Sequence, residues 1–153
     1  MAIPGTMKAL VTLGPKISAV QEVPVPSISD DEILVKVVAV AQNPTDWQRT
    51  HFDVLLLYLR NLNHLSFLYH DVDIDLVGNA GTICGCDFSG NVAAVGNNVT
   101  HFTVGDHVAG FTHGGFYKDR GAFAEYTKVS ADLVWKVPEN TLSHEEAATF
   151  GCA

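Results

Sequence analysis

Positive charge is scarce in this chain. Nine Lys and Arg stand against 17 Asp and Glu, a formal net charge of −8 over 153 residues. That sign repels phosphate backbones, and no basic cluster offsets it, which argues against nucleic acid as a partner. Cysteine is scarce as well. Cys84, Cys86 and Cys152 do not make a disulfide framework, and the opening MAIPGTMKALV has no secretory apolar core. A reducing, cytoplasmic compartment is the expectation. With 47% apolar residues the chain can still fill a core, and its length suits one ordinary domain.

Long apolar runs are missing too. The greasiest stretch, QRTHFDVLLLYLRNLNHLSFLYHDVD at 48–73, is broken at its centre by Arg60, Asn61, Asn63 and His64. A membrane span needs about 20 nearly uninterrupted apolar residues. Phe52, Leu55, Leu56, Leu59, Leu62 and Ser66 follow helical spacing, while Leu57, Leu65 and Leu68 fall off that stripe. No membrane association is expected.

The common catalytic fingerprints are absent. Cys84-Gly85-Cys86 leaves one residue between the thiols and has no second pair, so two small buried thiols are the expectation rather than a zinc knuckle. His144-Glu145 begins like a zinc-protease helix, but Ala148 stands where the second His belongs. The spacing Gly85 to Gly90 mimics a phosphate-binding loop, yet Asn91-Val92 follow where Lys and Ser/Thr are required. No G-x-G-x-x-G follows a strand. Ser89 lacks the flanking glycine pattern of a nucleophile elbow. The seven histidines are scattered, with no partner at a telling spacing, so each is expected in a surface or core role.

What is present is a series of short apolar segments. Residues 7–13, 19–25, 33–40, 91–95, 107–110, 122–129 and 133–137 are rich in Val, Ile and Leu or alternate in polarity, with Gly, Pro and Asp signals between them. They read as strands, the second demoted to an edge by Pro24 and Pro26. Many short strands at close spacing predict a mainly β fold, an antiparallel barrel or sandwich. One helix start is marked: Ser143, with Glu146 three residues later, forms a capping box.

Four motifs then occur in order. They are Asn43-Pro44-Thr45-Asp46-Trp47; Gly85-Cys86-Asp87-Phe88-Ser89-Gly90 leading to Val95-Gly96; Val104-Gly105-Asp106-His107-Val108; and Gly121-Ala122-Phe123-Ala124-Glu125-Tyr126. Together they resemble the N-terminal, GroES-like half of the medium-chain dehydrogenase/reductase superfamily. The likeness is nearest to fungal trans-acting enoyl reductases and quinone-reductase-like relatives, over nearly the whole chain outside the leucine-rich segment. The resemblance implies a GroES-like, partly open β-barrel with short helices. In V-G-D-x-V, the Asp should cap backbone amides with both valines inward. In G-A-F-A-E-Y, Ala122, Ala124 and Tyr126 should share one face.

The same resemblance speaks to chemistry. Zinc-dependent members carry a Cys ligand and a Gly-His-Glu segment where this chain has Asn43 and Gly85-Cys86-Asp87, so no metal and the zinc-independent branch are expected. That branch implies NADPH as hydride donor and an activated alkene, typically an α,β-unsaturated thioester, as acceptor. Small-molecule or carrier-bound acyl groups would be the substrates, with a polyketide synthase of fungal secondary metabolism as a possible partner. Pro44, Thr45, Asp46, Trp47 and Gln48 would approach the nicotinamide end of the cofactor. Thr149, Phe150 and Gly151 would line the substrate cleft. Thr45 is the hydroxyl best suited to catalytic contact. A non-catalytic barrel serving as a binding module is the alternative; a fragment of a zinc alcohol dehydrogenase is disfavoured by Asn43.

Two departures from the family pattern complete the reading. The family continues past AATFGCA into a Rossmann domain, which these 153 residues do not include, so the fragment alone is expected to be inactive. The segment 49–73 interrupts the cofactor-facing loop. It is read as a translated intron: Arg49-Thr50 is compatible with a GTACG donor and Val72-Asp73 with a TAG acceptor, and excision restores a single His before Ile74. The competing reading is a family-specific helix packed on the barrel.

Overall fold

The computed structural model describes residues 2–14, 17–43, 46 and 79–151. Among these residues seven strands form in chain order: β1 (Thr6–Gly14), β2 (Ile17–Pro24), β3 (Glu32–Ala41), β4 (Asp87–Val95), β5 (His107–Phe111), β6 (Tyr126–Ser130) and β7 (Val134–Lys136). One short helix, α1 (His144–Ala148), closes the described chain. The fold is mainly β, as the strand pattern predicts. The segment 49–73, with both readings of it, lies outside the described residues.

Two sheets divide the strands. β1 and β2 make an antiparallel hairpin, and the other five run in the order β6-β3-β4-β5-β7. Every pairing is antiparallel. Backbone bonds join the sheets, with Leu10 N–H donating to Phe123 O (2.8 Å), Cys84 N–H to Leu10 O (2.9 Å) and Thr12 N–H to Thr82 O (2.9 Å). β1 is thereby paired on its second edge by non-strand segments, the partly open barrel that the motifs imply. Among the described residues β2 has only β1 for a strand partner, and it ends at Pro24, as expected of an edge strand.

Hydrophobic burial fixes β3 between β6 and the central strand β4. Ile33 and Val35 enter one cluster with Phe88, Val92 and Val108, while Leu34 enters a second with Met7, Ala9, Val11 and Ile83. Both faces of β3 are therefore covered over Ile33–Val35, and each such aliphatic side chain contributes about 1.5–3 kcal/mol by leaving water.

Local differences from the sequence reading have simple causes. β4 starts at Asp87, four residues earlier than expected, because Asp87, Phe88, Ser89 and Gly90 all pair with β3. β6 starts only at Tyr126; before it, Ala124 makes an isolated bridge to Ala9. The chain is not extended throughout 122–126, so Ala122 packs in the first cluster with Phe123, while Ala124 and Tyr126 pack in the second. In V-G-D-x-V, Asp106 does cap the Thr103 amide (2.9 Å), and Val108 is fully buried. Val104, by contrast, is 68% exposed. It precedes Gly105 (φ 97°) in a turn closed by Asp106 N–H on Thr103 O, and that position points outward.

Candidate functional site

The site is built on one face of β4, where Asp87 and Ser89 stand two residues apart and so point the same way. α1 lies across this face. Its seat is made of small groups, because Ala147 and Ala148 are fully buried and Ala147 packs on Ala109 and Val137. Its start is the capping box expected from the sequence: Glu146 N–H donates to Ser143 Oγ (3.2 Å) and Ser143 N–H to Glu146 Oε2 (2.8 Å).

Under the first turn of α1, Ser89 gathers three partners. Its Oγ is 2.9 Å from His107 Nε2, 2.9 Å from His144 Nδ1 and 3.0 Å from Val108 O. A carbonyl only accepts, so the single hydroxyl proton goes to Val108, and both imidazoles donate to Oγ. The two rings lie 3.8 Å apart. Burial holds both histidines below their ordinary value of 6.5; for His107 the neighbouring His144 adds to this, and for His144 the Glu145 carboxylate opposes it. Sequence reasoning missed this cluster. The antiparallel register places His107 opposite Asn91, diagonal to Ser89, and no local spacing in the chain announces that.

Beyond the last turn of α1, Asp87 plays the corresponding part. It is 2% exposed, and its Oδ2 accepts a 2.5 Å hydrogen bond from Asn43 Nδ2. Asn43 in turn exchanges bonds with Asp46: Asn43 N–H donates to Asp46 Oδ2 (2.8 Å) and Asp46 N–H to Asn43 O (3.0 Å). Gly151 sits against Asp87 Oδ1 so closely that a Cβ there would collide with it and with the Gly110 carbonyl. Asn43, bonded to Asp46 of the expected cofactor end, and Gly151 of the expected substrate cleft thus meet at one carboxylate. Of the first group only Asp46 is described; Pro44, Thr45, Trp47 and Gln48 lie outside the described residues. Of the second group, Thr149 Oγ1 is spent on Glu146 O (2.7 Å), while Phe150 is half exposed and packs edge-on to Trp135.

Cys84 and Cys86 are buried, and Cys84 Sγ lies 3.3 Å from Thr12 Oγ1. Among the described residues no group of three or more His, Cys, Asp or Glu is placed to hold a metal ion. Nor is any helix among them long and apolar enough to cross a membrane.

The family model for the alcohol dehydrogenase GroES-like domain matches residues 29–139. The chain is 40% identical over 149 residues to the trans-enoyl reductase resD of Aspergillus sclerotiorum, covering 95% of this chain and 35% of that protein. It is 38% identical over 148 residues to the trans-enoyl reductase TOXD of Cochliobolus carbonum, covering 94% and 41%. Among solved structures it resembles the quinone oxidoreductase of Coxiella burnetii, with TM-score 0.67, 26% identity and 96% and 41% of the two chains covered. It also resembles the 2-octenoyl-CoA carboxylase reductase CinF in complex with NADP and 2-octenoyl-CoA, with TM-score 0.68, 25% identity and 97% and 40% coverage. The chain therefore spans roughly a third to two-fifths of the length of these relatives.

Proposed function

This chain belongs to the alcohol dehydrogenase GroES-like domain family, and from that premise we propose that it forms the N-terminal, cleft-building part of an NADPH-dependent reductase of activated C=C bonds. The acceptor class is an enoyl thioester or a quinone-like alkene. The reading rests on the meeting of Asn43, itself bonded to Asp46, and Gly151 at Asp87. It is supported by similarity to trans-enoyl reductases over nearly the full chain.

The donor set at this point suits a zinc-free site. Asn43 presents an amide where the zinc-dependent branch has a thiolate, and that amide is engaged by the Asp87 carboxylate. Amides are poor ligands for a tetrahedral zinc. The same residues fit the uncharged end of a nicotinamide cofactor better than its phosphates. Asn43 to Gln48 offers amide, hydroxyl and carboxylate groups and no cation. Pro44, Thr45, Asp46, Trp47 and Gln48 would border the nicotinamide; the phosphates need a positively charged or amide-lined site supplied by other parts of the protein. NADPH, when bound, supplies hydride. The chain's own residues would hold the reacting carbon in register and keep water away, with Phe150 as the apolar wall and Thr45 as the nearest hydroxyl for an enolate oxygen. Carrier-bound acyl chains, and a polyketide synthase that presents them, are the partners this chemistry would serve.

The test is to join the chain to a Rossmann domain of the family and to follow NADPH oxidation with an enoyl thioester and with a quinone. The fusion should turn over one of them, and the 153 residues alone should not. A fusion that binds NADPH yet reduces neither acceptor would sink the reading in favour of a binding module.

A further inference from the structure

We infer that Asp87 is a positioning residue that makes the two cleft-facing segments move as one. The inference rests on the reading of 44–48 and 149–151 as the cofactor and substrate sides of the cleft. Its physical basis is the way a single buried carboxylate divides its two oxygens. Oδ2 is held by Asn43, whose backbone is locked to Asp46 by two further bonds. Oδ1 has no hydrogen-bond partner among the described residues and is instead covered by Gly151. A carboxylate this buried keeps its place only while its one strong donor is present. Removing the Asn43 amide leaves both oxygens unpaired. The side chain then relieves that cost by turning toward water, and Gly151, packed on it without a Cβ, must give way. The converse also holds. Any group added at Gly151 pushes on Oδ1 and, through the carboxylate, on Asn43. Coupling of this kind is reciprocal.

The link also explains why an acidic residue occupies the position when a neutral one of the same shape would leave a smaller unpaired penalty. A charge-assisted bond makes the Asn43 amide orientation unique, with Nδ2 toward Asp87. The position of the Asn43–Asp46 turn is thereby referred to β4, the central strand of the larger sheet, and so is the exit of α1.

Amide hydrogen exchange on the 153-residue chain tests the coupling without any cofactor. The amides of Thr149 and Phe150, bonded to Glu146 O and Ala147 O, report the α1 exit; those of Asn43 and Asp46 report the turn. Asn43→Ala should speed exchange at Thr149 and Phe150 by about tenfold or more, the scale of one lost charge-assisted bond, while Ile33 to Val35 stay unchanged. Gly151→Ala should do the same at Asn43 and Asp46. The swap Asn43→Asp with Asp87→Asn rebuilds the amide–carboxylate pair with its ends exchanged and should restore protection at both segments. A merely local structural role would confine each effect to the substituted segment. That outcome, or a folded swap that leaves both segments deprotected, overturns the inference. If Asn43→Ala does not fold, the swap and Gly151→Ala decide between the same alternatives. Coupling that persists when the NADPH fusion proves inactive would leave the positioning role intact and remove only its functional setting.

Discussion

At the scale of single residues, burial decides which polar groups matter. Ser89 is fully buried and serves two imidazoles and a carbonyl with one oxygen. Ser89→Ala strands all three, and should cost about 1–3 kcal/mol in a urea melt, where an exposed serine of the chain such as Ser27 should cost next to nothing. The histidine pair sets a pH dependence. Both are depressed in the fold, so below their ordinary value of 6.5 the unfolded chain binds protons that the folded chain does not. Their contribution is fully present above pH 6.5 and is lost as pH falls from there toward the lower folded values. Denaturation midpoints measured between those limits should fall with pH, and His144→Gln should flatten the slope. A carboxylate behaves differently. Lys136 (2.7 Å), with help from the Thr103 amide, holds Asp106 below the usual range, so its contribution goes only in stronger acid.

At the scale of elements, α1 is the piece most dependent on its ends. Five residues are too few to be helical in isolation. It is held by the capping box at its start, by the apolar seat of Ala147, and by polar contacts at either end, through His144 on Ser89 and Gly151 on Asp87. Ser143→Ala removes one half of the box and should destabilise the chain by about 1 kcal/mol, with the loss concentrated in the exchange rates of 144–150. The segment 49–73 belongs to the same scale. In the sequence it follows the Asn43–Asp46 turn and interrupts the stretch that on the proposed function must touch a ligand closely. We propose that it is not part of the working loop. Deletion of 49–73 with a single His restored should raise the soluble yield; an equal or lower yield would favour the packed-helix reading.

For the whole molecule, the hairpin and the five-stranded sheet are held by bonds between residues far apart in the chain. β1 alone receives donors or acceptors from Thr82, Cys84, Phe123 and Glu125. Two separate apolar clusters on the faces of β3 make these contacts cooperative. Some large apolar side chains stay exposed, among them Val38, Val40 and Phe150. Phe150 follows α1 directly and Val38 and Val40 lie toward the end of β3 that leads to Asn43, so on the proposed function a nucleotide-binding domain would cover this apolar surface.

The sequence by itself determined the strands, the edge character of β2, the capping box, the turn capped by Asp106 and the family. Each of those is written in neighbouring residues, as alternation, a proline, or a Ser and Glu three apart, and local sterics and hydrogen bonding suffice to read it. It misjudged Val104 and Ala122, where turn geometry overrode alternation. Tertiary structure alone decided that Asn43 meets Asp87 across 44 residues, and that Ser89 meets His107 and His144 across 18 and 55. Those partners are chosen by strand register and by the seat of α1. Register follows from how the buried faces of several strands fit at once, a property no single stretch of the chain carries.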